Sequence, residues 1–157
     1  MSRSLSIDYP LLSRQVNALI DNEFDAVAVL SNVGALLNQS LSTINWVGFY
    51  FLKDEQLVLG PFQGNVACYR IPLNKGVCGA AVTTGMTQRV ADVHQFPGHI
   101  ACDAASESEI VIPLVVNDEI IGVLDIDSPV KDRFDAADQQ GLEMIVDVLN
   151  HHLVECH

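Results

Sequence analysis

The chain has 157 residues, 49% hydrophobic and 18% charged, which suits one domain over residues 1–157 with a sizeable core and is too apolar for a disordered chain. Twenty acidic against eight basic residues give a net charge of −12. The basic ones (Arg3, Arg14, Lys53, Arg70, Lys75, Arg89, Lys131, Arg133) stand singly, so no stripe exists to neutralise phosphates and the composition argues against nucleic acid as a partner.

The opening stretch, Met1 to Ser6, lacks an apolar leader core, and no later run offers the roughly 18 uncharged residues that span a bilayer. No membrane association is expected, and the expected location is the cytoplasm. Reducing compartments disfavour structural disulfides, so Cys68, Cys78, Cys102 and Cys156 read as packing, metal-binding or redox residues.

Leu12, Val16, Leu19 and Ile20 have the spacing of one helical face and predict a helix from Ile7 to about Asn22. Ala26, Val29, Leu30, Val33, Leu36 and Leu37 predict a second, ending near Gln39. From Ile44 the composition becomes that of a strand, Asn45-Trp-Val-Gly-Phe-Tyr-Phe-Leu52, and Lys53-Asp-Glu55 reads as a polar turn. Gln56 to Leu59 returns as a short strand that Gly60-Pro-Phe-Gln-Gly64 is expected to break. A third strand is predicted over Ala67 to Ile71, carrying Cys68 and closed by Pro72.

Lys75 to Thr84 reads as a short helix with Gly85 just past its end, and Gln88 to Val90 as a brief strand. Asp92 to Glu107 shows no sustained period and is longer than most connections, which points to a functional loop. Glu109–Val116 and Glu119–Asp127 are apolar runs joined by Asn117-Asp118, residues that accept the positive φ of a tight hairpin. Pro113 cannot donate to a ladder, so its strand lies at an edge or bulges there. Asp135 can cap a final helix with Asp138 at its third position and Leu142, Ile145, Val146, Leu149 and Leu153 as its buried stripe. The elements do not alternate strictly enough for a doubly wound sheet, and the expected class is α+β.

Strand alternation puts Asp125 and Asp127 on one face, with Leu124 and Ile126 on the other. Two acids side by side repel, so the pair is either solvated at a strand end or held for a ligand. The loop before it delivers Cys102. Singly, these residues have plainer readings: Cys78 as core packing, Trp46 as sheet core, Asp127 as a turn acid, Glu109 as a strand start, and His94 and His99 as loop residues. His94, His99 and Cys102 fit no closed structural zinc pattern, and no metal is expected.

Together, however, the motifs resemble the GAF domains, and within them the free methionine-(R)-sulfoxide reductases. The resemblance runs from about Tyr9 to Leu149 and is carried by Asn45-Trp-Val-Gly-Phe-Tyr50, Leu59-Gly-Pro-Phe-Gln-Gly64, Cys68 with Ile71-Pro72, and Gly76-Val-Cys-Gly79. It continues through Asp92-Val-His94, Gly98-His-Ile-Ala-Cys-Asp103, Ser108-Glu-Ile-Val111 and Gly122-Val-Leu-Asp-Ile-Asp-Ser128. It implies a GAF-like, mostly antiparallel central sheet with the N- and C-terminal helices on one face and a loop-covered ligand pocket on the other.

By that resemblance Cys102 is the catalytic thiol, Cys68 the resolving thiol that closes a disulfide onto it, and Cys78 a second candidate resolver. Glu109, Asp125 and Asp127 line the substrate pocket, and Trp46 meets the substrate methyl group. The product is free methionine, thioredoxin is the external reductant with no bound cofactor, and the assembly is a homodimer. Cys156 matches nothing in the pattern.

The chemistry is consistent with these residue types. A sulfoxide sulfur becomes electrophilic as its oxygen receives a proton, and crowded carboxyls can hold one near neutrality. Cys102 would become a sulfenic acid, which a second thiol condenses to a disulfide. No basic residue adjoins Cys102 in sequence. Either His99, Lys75 or a cluster of backbone amides compensates in space, or the thiol proton passes to substrate. The alternatives to an enzyme are a non-catalytic GAF module binding a small ligand and a thiol-based redox sensor. The sensor reading lacks an attached output domain or linker, and the binding-module reading leaves the paired thiols unexplained.

Overall fold

In the computed structural model, residues 6–100 and 102–157 are described. The reading of the opening stretch rests mainly on residues 1–5, which lie outside them, as does Ala101 of the cysteine loop.

Asp8 opens helix α1 (Tyr9–Ile20) by accepting a hydrogen bond from the Leu11 N–H, and Pro10 sits in the first turn, where a missing N–H costs little. Asp25 caps α2 (Ala26–Ser40) in the same way through Ala28. Strands β1 (Trp46–Lys53) and β2 (Gln56–Gly64) are joined by Asp54 and Glu55, both at positive φ, the backbone a two-residue hairpin turn requires.

Gly60-Pro61 does not end β2. The register passes from Gly48 opposite Phe62 to Tyr50 opposite Leu59, so Gly60 and Pro61 together face Phe49. A bulge absorbs the proline, and the strand continues to Gly64.

The third strand, β3 (Arg70–Pro72), is shorter than expected and leaves Cys68 in the loop before it. The Cys68 carbonyl accepts from the Tyr50 hydroxyl, a side chain, and not from a strand neighbour. Helix α3 (Gly76–Thr84) ends at Gly85 in the left-handed conformation, and β4 (Gln88–Val90) follows. A 3-10 turn at Val93–Gln95 leads through the long loop into β5 (Ser108–Val116) and β6 (Glu119–Ser128). Asn117 and Asp118 have positive φ at the hairpin, as their residue types predict. Helix α4 (Ala136–Leu153) begins with a full capping box between Asp135 and Asp138.

The six strands form one sheet in the order β3-β2-β1-β6-β5-β4, with every neighbouring pair antiparallel. β5 is not an edge strand, but β4 reaches only Glu109 to Val111, so Pro113 lies beyond its end, next to a register shift at Leu114/Val115.

One face of the sheet, with Val47, Phe49, Ile110, Ile112, Leu114, Leu124 and Ile126, packs on α1, α2 and α4. Its side chains are almost wholly buried, each stabilising the fold by about 1.5–3 kcal/mol. The other face carries Trp46, Tyr50, Val111 and Val123 under α3 and the loops of Cys68 and Cys102. Among the described residues, no helix is long and apolar enough to cross a membrane.

Gly48 lies on this second face of the sheet, opposite Phe62 on β2. A Cβ there would fall 2.3 Å from the Phe62 Cβ and 2.7 Å from the Trp46 ring, both inside van der Waals contact. Gly48→Ala is therefore expected to lower stability by about 1–3 kcal/mol, the usual cost of overpacking, read as a lower thermal midpoint. An unchanged midpoint would mean that the Trp46–Phe62 stack yields freely.

Candidate active site

Three adjacent strands put their side chains in a row. Trp46 on β1 stands opposite Asp127 on β6, and Asp127 stands opposite Glu109 on β5. Two residues along, Gly48, Asp125 and Val111 form the next row on the same face. The antiparallel register thus gathers three carboxyls from two strands on the face opposite the main helices.

All three are buried: Glu109 is 8% exposed, Asp125 5% and Asp127 8%. Cys78 reaches them from α3, its sulfur 4.0 Å from Glu109 Oε2.

The roof is a disulfide between Cys68 and Cys102. Cys68 is held at its own carbonyl by the Tyr50 hydroxyl, 3.1 Å away, while the Tyr69 carbonyl accepts from Leu59 N–H. Cys102 is held by local turns, its N–H donating to Ile100 and the Ser106 N–H to Asp103. Asn45, at the start of β1, ties this loop down: its Nδ2 donates to Asp103 Oδ2 at 3.0 Å and to Ser106 Oγ at 3.2 Å. The Asn45 backbone N–H donates to the Asp127 carbonyl at 2.9 Å. One asparagine therefore links the cysteine loop to the acid row.

Between roof and acids lies a cavity of about 40 Å³, lined by Cys102, Cys78, Glu109, Asp125, Asp127 and Tyr50 together with His99, Asp103 and Ser106. Trp46 does not line it in this disulfide-closed form. Its ring is buried, stacked on Phe62 at 5.2 Å and on Tyr50 at 5.9 Å, and its indole N–H donates to the Asn65 carbonyl. It backs the acid row from one strand away.

Burial governs the electrostatics. It pushes Glu109 and Asp127 well above the usual carboxylate range, and the charge of Asp125 raises both further. Asp125 is raised by burial too, but hydrogen bonds to its charged form from Glu109 and Cys78 offset part of that. Burial thus pushes all three acids towards their neutral forms, and their crowding disfavours ionising them together. Burial, then Asp125 and Glu109, hold the Cys78 thiol protonated.

Of the groups named to activate Cys102, His99 lines the cavity, but burial and then the neighbouring His94 lower its pKa. It is neutral at pH 7. Lys75 is not part of the lining. Asp125 lines the cavity, and its Oδ1 is buried without any hydrogen-bond partner, an acceptor whose capacity is unfilled.

Sequence reasoning named the thiols and the acids but gave no role to Tyr50, Asn45, Asp103 or Ser106. Each acts across the fold through a single polar atom, which leaves no periodic or spacing signal. His94, His99 and Cys102, which fit no closed zinc pattern in the sequence, do not share one cluster among the described residues. His94 instead meets Asp92 and Glu107, with the His99 ring edge-on, and Cys102 is in the disulfide. Cys156 lies far from the cavity, against the core of the opposite face, with its sulfur on the His152 carbonyl.

Comparison with known proteins adds independent findings. Residues 26–151 match the family described as GAF domain. The chain is 59% identical over 138 residues to the free methionine-R-sulfoxide reductase of Escherichia coli, covering 88% of this chain and 84% of that one. It superposes with a TM-score of 0.92 on a reduced form of fRMsr of Staphylococcus aureus, at 57% identity, covering 94% of this chain and 96% of that one. A free methionine-R-sulfoxide reductase of Neisseria meningitidis solved in complex with its substrate gives 0.91 at 40% identity, covering 98% of this chain and 92% of that one.

Proposed function

The chain belongs to the free methionine-R-sulfoxide reductases of the GAF domain family, and on that premise we propose how it reduces free L-methionine-R-sulfoxide to L-methionine. The observation that carries the reading is the Cys68–Cys102 disulfide closed directly over three buried carboxyls.

With the bridge reduced, the substrate ammonium group pairs with Asp125, whose buried Oδ1 lacks a partner. The sulfoxide oxygen faces Glu109 and Asp127, which hold protons because they are buried. Trp46 supports the methyl end from the adjoining strand. Cys102 sulfur attacks the substrate sulfur as a carboxyl protonates the departing oxygen. Among the described residues no lysine or arginine lines the cavity to stabilise a thiolate, so the thiol proton is passed into the same acid row.

The sulfoxide loses its oxygen and leaves as the thioether, while Cys102 gains that oxygen as a sulfenic acid. The Cys68 thiol then displaces it as water and forms the disulfide. Thioredoxin returns two electrons by thiol–disulfide exchange. Cys78 is the second candidate resolver, and a homodimer completes the reading.

A cavity of about 40 Å³ holds only a few waters, by the measure of roughly 10–15 Å³ for one, and not an amino acid. The bridged form therefore follows turnover, and reduction must precede the next substrate. Free L-methionine sulfoxide, supplied as separate R and S diastereomers with thioredoxin, its reductase and NADPH, tests this: NADPH should be consumed with the R isomer alone. Failure of both isomers with fully reduced protein, with dithiothreitol also tried, would move the site to a ligand-binding role.

A further inference from the structure

Beneath the disulfide, the Cys78 sulfur and one oxygen each from Glu109 and Asp125 lie within 4.8 Å of one another. A second observation falls at the same point: Asp125 is 5% exposed, it lines the cavity, and its Oδ1 has no hydrogen-bond partner. The lining offers a thiol and carboxyls, and its one basic ring, His99, is kept neutral by burial and by His94. Such a wall calls for a cation, and the cavity of about 40 Å³ admits an ion where an amino acid does not fit.

Ligand chemistry narrows the choice. Magnesium and calcium take oxygen ligands, whereas a thiolate with two carboxylates selects a softer ion, and three protein ligands with an open fourth position suit tetrahedral zinc. Zinc–sulfur and zinc–oxygen bonds of about 2.3 and 2.1 Å imply a sulfur–oxygen separation near 3.6 Å. The ligands need to close in by about an ångström at most from that spacing, within reach of side-chain rotation.

We propose that Cys78, Glu109 and Asp125 form a binding site for a thiophilic divalent cation of the zinc class beneath the Cys68–Cys102 bridge. Binding releases the thiol proton and the carboxyl protons to solvent as the zinc–sulfur and zinc–oxygen bonds form, and no electrons move. Its consequence rests on the reductase reading: an ion on Asp125 occupies the place of the substrate ammonium group.

The test uses the full chain with its disulfide closed and Cys156→Ser, which leaves Cys78 as the sole free thiol among the described cysteines. Zinc chloride titrated by calorimetry should bind at one equivalent, and cadmium should give a thiolate charge-transfer band in the ultraviolet. Cys78→Ser should abolish the band and weaken zinc at least tenfold. The near-isosteric Asp125→Asn should weaken zinc comparably, and magnesium should give no response.

Absence of zinc binding overturns the proposal. So does binding unchanged in both folded variants, which would put the ion on the exposed Asp92–His94–Glu107 cluster. Because binding is read without turnover, its failure leaves the reductase reading standing, and the converse also holds. In turnover by reduced protein, zinc should raise KM and a chelator restore it, whereas an unchanged KM at saturating zinc would overturn the consequence.

Discussion

Cys102→Ser is expected to lower turnover of free methionine-R-sulfoxide by at least about a thousandfold, the scale at which loss of a nucleophile generally lands, while the chain still folds and binds substrate. The serine oxygen is close to isosteric but neither attacks sulfur at neutral pH nor forms a bridge to Cys68. Cys68→Ser should behave differently: one methionine is released per chain, and the reaction then stalls with thioredoxin as reductant, because the sulfenic acid has lost the partner the structure places on it. Coupled NADPH oxidation gives the first result and a single-turnover quench the second. Wild-type-like rates in Cys102→Ser would transfer the attack to Cys68 or Cys78.

Glu109→Gln is expected to pull activity and stability in opposite directions. The amide keeps the size and the hydrogen bonding of a protonated carboxyl but has no proton to give, so kcat/KM should fall by about a hundredfold or more, the range of general acid catalysis.

For stability the sign runs the other way. Burial raises Glu109 and Asp127 well above their ordinary values of 4.5 and 3.8, so the folded chain binds more protons than the unfolded one. Stability from these groups is fully present below those ordinary values and is lost as pH rises through the raised ones. Glutamine removes the group that must otherwise ionise or stay protonated. The variant should unfold at a higher temperature than wild type at pH 8, with the difference shrinking towards pH 4. A lower midpoint at pH 8 would mean that the Glu109 carboxyl makes a hydrogen bond the amide cannot reproduce.

Much of the fold follows from local rules that leave a mark in the chain. Asp8, Asp25 and Asp135 cap their helices where their residue type and position suggest, and Asn117-Asp118 turns its hairpin as such residues do. The misread places are those where a distant element overrides the local signal. Gly60-Pro61 looks like a strand end, yet pairing with β1 carries β2 past it on a bulge. Cys68 looks like a strand residue, yet the Tyr50 hydroxyl holds it in a loop.

For the site, the sequence by itself determined the chemistry on offer: which thiols and acids exist, and that Asp125 and Asp127 share a face, because alternation along a strand is a local property. Only the tertiary structure decided that Glu109 stands opposite Asp127, that Cys78 comes up beneath them from α3, and that Asn45 ties the Cys102 loop to the sheet. Those contacts join residues up to 61 positions apart. They arise from strand order and loop packing, which the global burial of apolar surface selects and which no short window of the chain records. The raised acids belong to the same category, since a carboxyl gives up its charge only when the folded chain has taken away its water.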